Sequence, residues 1–370
     1  MRDRFLTRVA FLAAVAAAVS MTHVDIAGQT APAKKPMTAA GGAPRLHDGH
    51  PDLQGTYDLG TLTPLERRAG TPLVLTDDDA KKLEQQVASQ SEKLNAPIDA
   101  NRAAPPSGGD GSPGPYGNVG GYNNFWLDPG SRYTTIDGRK RASLIVDPPD
   151  GRVPALTETA RTRNASRVLR TTSDQAIRED DPGFEGADAY DDPEQRPLGE
   201  RCIIGFSSTS GPPILPTYFY NNLHQIVQTA DTVVILTEMV HDARIVRMGA
   251  QHQPSSIRKW MGDSIGRWDG DTLVIDTTNF TDKTRFRGSN GDALHIVERL
   301  TRVDARTLRY QFTVEDPTTW MKPWTAEYTW PATSDLMYEY ACHEGNYAMG
   351  NILRGARLKE ADEAKKTKQQ

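Results

Sequence analysis

The chain has 370 residues, 25% of them charged, with a formal net charge of −5 and two cysteines. The mild acidic excess argues against a nucleic-acid partner, and two cysteines with no nearby His or Cys at ligand spacing exclude a local zinc motif. The length is sufficient for one large domain or two small ones with a real core.

In chain order, Arg2, Arg4 and Arg8 precede an apolar run over residues 9–19. That run is shorter than the roughly 20 residues a membrane-spanning helix needs and fits the apolar stretch of a secretory signal peptide. Residues 1–30 are therefore expected to be a cleaved export signal. The mature protein is then periplasmic or secreted, with no stable membrane anchor. Residues 31–121 read as a tether, a surface helix and a Pro/Gly-rich loop. Thr76 is placed as N-cap of the helix, three aspartates fill its first turn, and few positions are apolar, which predicts a solvent-facing helix over 76–94. The stretch 53–62 has room for one strand. This N-terminal part is expected to pack on the β domain, because it supplies too little core for a domain of its own.

Residues 122–346 read as the β domain. Strand patterns occupy 123–132 and 141–156, while 157–192 is charged, irregular and partly helical. A Gly-Pro-Pro turn at 211–213 leads into the main β region. From Leu223 onward, 223–240 reads as two strands turning at Ala230-Asp231, followed by a strand over 242–248. The Asp-Gly pair at 269–270 marks a hairpin, since it favours positive φ before a β-branched run. A second hairpin turns at 304–306, and strands over 323–330 and 336–342 complete the set. Residues 347–370 form a helical, solvated tail. Many strands with short turns predict a mostly β fold, an antiparallel barrel or barrel-like sheet of lipocalin-like type with a few peripheral helices.

Strand alternation sorts side chains by face. In 294–301, Leu294, Ile296, Glu298 and Leu300 share one face, so Glu298 is expected inside, where a carboxylate needs a partner or a raised pKa. Arg244, Arg299 and Arg309 are the available partners. A structural ion pair and an acid–base group at a cavity wall are both open readings. In the catalytic reading Glu298 is the base or acid, His241 or His295 its partner, and Arg244 the anion stabiliser. Trp260, Trp268, Trp324, Tyr328 and Tyr340 are the candidate ligand-binding aromatics for an apolar or ring compound. His241, His252, His295 and His343 lack paired metal-ligand spacing, so no metal and no cofactor are assigned. Cys202 and Cys342 are expected to form one disulfide in an oxidising compartment. The nucleophile elbow, phosphate-binding loop and dinucleotide fingerprint are absent from the sequence.

The segments "GDTLVIDTTNF", "LHIVERLTRVD", "EDPTTWMKPW" and "YEYACHEGN", with an upstream "PDLQG…TPLER", resemble a group of exported bacterial proteins of unknown function. That resemblance covers nearly all the mature chain and implies kinship without an activity, so it assigns no catalytic residue. The C-terminal meander also looks like lipocalin-like barrels, which concerns fold alone. The expected function is small-molecule binding, or processing by cofactor-free acid–base chemistry of lyase, isomerase or hydrolase type. A carbohydrate-binding or envelope-associated module and a metal-dependent hydrolase are the alternatives. The oligomeric state is not legible.

Overall fold

The computed structural model describes residues 43–94, 128–168, 192–196, 198–205, 211–217, 220–284, 286–289 and 291–368. The expected signal segment, Trp126 and the first half of the strand expected over 123–132 lie outside these residues, and the described half, 128–132, forms no strand.

Nine strands close into a barrel. They are β1 (Gly55–Asp58), β5 (Leu223–Gln228), β6 (Thr232–Thr237), β7 (Ala243–Met248), β8 (Asp263–Asp269), β9 (Thr272–Thr278), β10 (His295–Arg302), β11 (Thr307–Glu315) and β12 (Trp324–Thr333). Neighbours in the chain pair in order from β5 to β12, and β1 joins β5 to β12, with Tyr57 opposite both His224 and Ala332. Three short strands, β2 (Thr135–Ile136), β3 (Arg139–Lys140) and β4 (Ile145–Asp147), lie between β1 and β5 in the chain. Of these, β4 extends the sheet beside β12, opposite Thr325 and Ala326.

The expectation of a purely antiparallel barrel is corrected at one seam. Strands β7 and β8 are parallel, with Val246 opposite Ser264 and Met248 opposite Gly266. A parallel pair cannot be joined by a tight turn, and the connection 249–262 instead returns along the barrel. The sequence pattern conceals this, because alternation fixes the faces of each strand but not its direction. The ninth strand and the parallel pair also distinguish the barrel from the eight-stranded up-and-down lipocalin form. Gly266 lets side chains of β7 close over the seam: a Cβ there would meet Met248 Sδ at 2.6 Å and Val246 Cγ1 at 2.9 Å.

The hairpins form where expected. Gly270 takes φ +57° between β8 and β9, and β10 and β11 pair over their full length. Residues 336–342, expected as a last strand, form none; Leu336 and Tyr338 are exposed there. The N-terminal stretch does more than pack on the barrel, since β1 is one of its staves.

Helix α1 (Asp77–Leu94) begins at Thr76, whose hydroxyl accepts from the Asp79 N–H at 3.1 Å. It is mostly exposed and is fastened by Glu84, which accepts from Lys140 and from the Tyr133 N–H. Helix α2 (Glu158–Val168) follows β4, and α3 (Tyr347–Lys368) has no buried residue. Among the described residues no helix is long and apolar enough to cross a membrane.

The inner wall is aromatic. Tyr310, Phe312, Trp324, Tyr328 and Trp330 are all fully buried. Side chains of this size bury about 150–250 Å² each, so each contributes roughly 4–6 kcal/mol of transfer free energy. One end is covered by residues 43–54: Leu53 N–H donates to Gln228 Oε1 at 2.9 Å, and His50 stacks on Trp268 at 4.6 Å.

Cys202 and Cys342 form a disulfide with Cα atoms 5.8 Å apart, joining two non-strand segments across 140 residues. Loop-closure entropy for that separation sets an upper bound of about 5 kcal/mol. The double variant Cys202→Ser, Cys342→Ser is expected to lower unfolding free energy by up to that amount while leaving the far-ultraviolet β spectrum intact. Urea titration followed by circular dichroism checks both; a lost β spectrum would mean that the barrel depends on the cross-link.

Candidate functional site

Glu298 points into the barrel from β10 with no solvent exposure, on the same face as Ile296 and Leu300. Of its three candidate partners, Arg244 on β7 reaches it. Arg244 Nη1 lies 2.5 Å from Oε2 and Nη2 lies 2.8 Å from Oε1, a two-pronged contact between planar groups. The Tyr310 hydroxyl on β11 donates to Oε1 at 2.7 Å. Burial alone would lower the Arg244 pKa, but the charge and hydrogen bonds of Glu298 outweigh it and hold the guanidinium above its ordinary value. Burial, and then the Glu298 charge, push the Tyr310 phenol well above 10, so it stays a donor.

This polar group is tied to the segment 211–217. Ile214 N–H donates to the Tyr310 hydroxyl at 2.9 Å, and its carbonyl accepts from the Tyr328 hydroxyl at 3.0 Å. The backbone of one residue is thus held by two tyrosines, and the first of them also holds Glu298. The segment that sequence reading treats as a turn lies over the innermost polar group of the barrel. Buried His224 stands close by, its ring 5.9 Å from Trp330 and its Nδ1–H directed at the Asn222 carbonyl, 3.1 Å away.

The two histidines expected beside Glu298 are elsewhere. His241 is exposed in the 3-10 turn Met239–His241, between β6 and β7. His295 occupies the opposite face of β10 from Glu298, as alternation requires. There it belongs to a chain of groups across the outer barrel wall. His252 Nδ1 faces Asp263 at 3.1 Å and its Nε2 faces Asp276 Oδ1 at 3.0 Å. His295 Nε2 faces the same Asp276 oxygen at 3.1 Å, and its Nδ1 faces Glu315 at 3.1 Å. The hydrogen bond to Asp276 is the largest influence on His295; opposed by burial and helped by Glu315, it raises the pKa to about 9. Asp276 is correspondingly lowered, first by His295. Burial would raise Asp263, but the Gln253 N–H, His252, Lys259 and Arg247 together bring it below its usual range. Two of the four histidines thus meet one carboxylate, yet among the described residues no group of three or more His, Cys, Asp or Glu is arranged to hold a metal ion.

The aromatic candidates divide. Trp324 and Tyr328 face inward; Trp324 lies 5.9 Å from Phe286 and 5.8 Å from Phe312. Trp268 shares the inner face of β8 but sits at its end, against His50. Trp260 is half-buried in the turn before β8, its carbonyl accepting from the Thr284 hydroxyl. Tyr340 lies outside the barrel, against Cys202, Met239 and Val240. Tyr310 counts among the aromatics the sequence offers, but nothing local in the sequence places it beside Glu298. Its alternation with Leu308 and Phe312 gave its face, but only the register, Leu300 opposite Tyr310 and Glu298 opposite Phe312, brings it to Glu298.

No protein-family model matches the chain, and no curated protein or solved structure matches it. The closed barrel agrees with the barrel part of the resemblance drawn from the sequence.

Two predictions follow from this geometry. Breaking the interior pair on one side, by Glu298→Gln or Arg244→Met, is expected to cost about 3–5 kcal/mol. The double variant Arg244→Met, Glu298→Leu should be less destabilised than either single one, because no uncompensated charge is left; strictly additive losses in denaturant titrations would contradict this. For His295, a folded-state pKa near 9 against 6.5 means its contribution is fully present below about pH 6.5 and lost as pH rises through about 9. NMR titration of the imidazole should give a midpoint near 9, and His295→Gln should flatten the stability profile between those limits.

Proposed function

We propose that the chain is an exported small-molecule-binding protein whose site is the interior cluster of Arg244, Glu298, Tyr310 and their aromatic surround. The observation that carries this reading is the buried ion pair itself. A pair sealed in a hydrophobic barrel contributes little net stability over apolar packing of the same volume, so its presence is better explained by a polar task. Its neighbours Tyr310, Tyr328 and Trp330 supply the flat apolar surface that ring compounds bind.

Binding accounts for the geometry better than acid–base turnover does. Both oxygens of Glu298 are engaged by Arg244, and one also by Tyr310. The two histidines expected as its partners, His241 and His295, lie apart from it, and buried His224 directs its Nδ1–H at a backbone carbonyl. In this reading Arg244 and Tyr310 orient the ligand, and Glu298 fixes Arg244. A carbohydrate-binding or envelope-associated module would favour Trp260, Trp268 and Trp324 on an open face. These are half-buried or buried, which supports the interior reading over the platform. The Cys202–Cys342 disulfide is compatible with an oxidising compartment, in line with the export expected from residues 1–30.

Native mass spectrometry on protein purified from a bacterial periplasm tests the proposal. The expected result is a discrete added mass that leaves on denaturation and is absent from Tyr310→Phe. A bare wild-type mass, together with no thermal shift across a library of small ring compounds, would overturn it.

A further inference from the structure

Among the described residues, every buried side-chain polar atom that lacks a hydrogen-bond partner is an N–H donor. Three of these donors belong to the inner wall: Arg244 Nε, Trp324 Nε1 and Trp330 Nε1. Arg244 is 3% exposed, and Trp324 and Trp330 are not exposed at all. One of the three belongs to the ion pair itself, and a second, on Trp330, is linked to it through Tyr310. Arg244 grips Glu298, the Tyr310 hydroxyl donates to Glu298, and the Trp330 ring lies 4.6 Å from the Tyr310 ring. Trp324 continues the same aromatic line through Phe312. Such atoms are rare in folded proteins, because an unpaired buried donor forfeits its hydration without replacement.

The imbalance has a chemical sign. A ligand rich in N–H groups would leave these donors unpaired and add its own. A carboxylate would supply acceptors, but Arg244 and Glu298 already cancel each other, so it would bring an uncompensated charge next to Glu298. A neutral oxygen acceptor meets both conditions. The surrounding rings of Tyr310, Tyr328 and Trp330 favour a planar aromatic body.

We propose that the interior site takes a neutral, flat aromatic compound bearing a carbonyl oxygen, which accepts from the Arg244 and Trp330 N–H groups. This rests on the binding reading above and specifies its ligand class.

The test uses the full chain with its disulfide intact, labelled with nitrogen-15 at the tryptophan indoles. Chromone is the neutral carbonyl probe, 1-naphthoate the anionic one and 2-naphthylamine the donor. Trp330→Phe assigns the Trp330 indole resonance. Chromone is expected to bind more tightly than the other two and to move the Trp330 indole N–H downfield. Trp330→Phe should weaken chromone by about tenfold, as loss of one buried hydrogen bond implies. If Trp330→Phe fails to fold, Arg244→Lys, which keeps the charge but removes Nε–H, takes its place with the same expectation. Tighter binding of 1-naphthoate or 2-naphthylamine would overturn the ligand class while leaving a binding barrel in place. Indole N–H groups that exchange magnetisation with bound water and do not respond to any probe would show ordered water as their partner and overturn the proposal. The separate mass measurement then decides whether the binding reading falls with it.

Discussion

The structure depends on the backbone pairing that closes the sheet. An open sheet of this size would present two rows of unpaired N–H and C=O groups to other chains. Here β1 takes up both edges, pairing with β5 along its whole length and with β12 at Thr333 and Ala332. Closure also creates an inside. Without it Glu298 and Arg244 would face water, where such a pair is worth little. Within the barrel the pair occupies a low-dielectric interior where each charge requires the other.

Charge is organised in opposite ways on the two sides of the wall. Inside, the Arg244–Glu298 pair is surrounded by rings, and its geometry is fixed by a tyrosine that also holds the N–H of Ile214. Outside, charges are numerous and, apart from buried Asp263, half-exposed, in a strip that crosses β8 to β11 with the help of His252 from the connecting segment. The strip does structural work at the seam. The 249–262 connection made necessary by the parallel pair is fastened through His252, the Gln253 N–H and Lys259 to Asp263, and through the Gln253 carbonyl to Asn279.

Much of this was legible in the sequence, and the limits have physical causes. Local signals located nearly every strand from Leu223 to Thr333, because a period of two and a turn residue are properties of a few neighbouring positions. The same alternation put Glu298 inside and His295 outside, which makes a direct Glu298–His295 partnership impossible on one strand. Tertiary facts were not local. The parallel direction of β8, the closing role of β1 and the selection of Arg244 over Arg299 and Arg309 depend on register across the barrel. Residues 336–342 show the reverse error: their aromatic and branched composition suits a strand, but β12 already has β11 on one side and β1 and β4 on the other, so no edge was left for them.

The position of β1 in the chain has a kinetic consequence. Its partners lie far downstream, at residues 223–226 and 332–333, so the barrel is dominated at its seam by contacts of very long sequence separation. Such contacts return no free energy until the intervening loop has been closed, and folds built on them form slowly. A chain emerging from its N-terminus exposes Gly55–Asp58 long before Thr333 exists to receive it. During that interval β5 to β11 can assemble as a curved sheet with free edges, the form in which β proteins associate wrongly. The last strand to appear is therefore the one that commits the whole molecule.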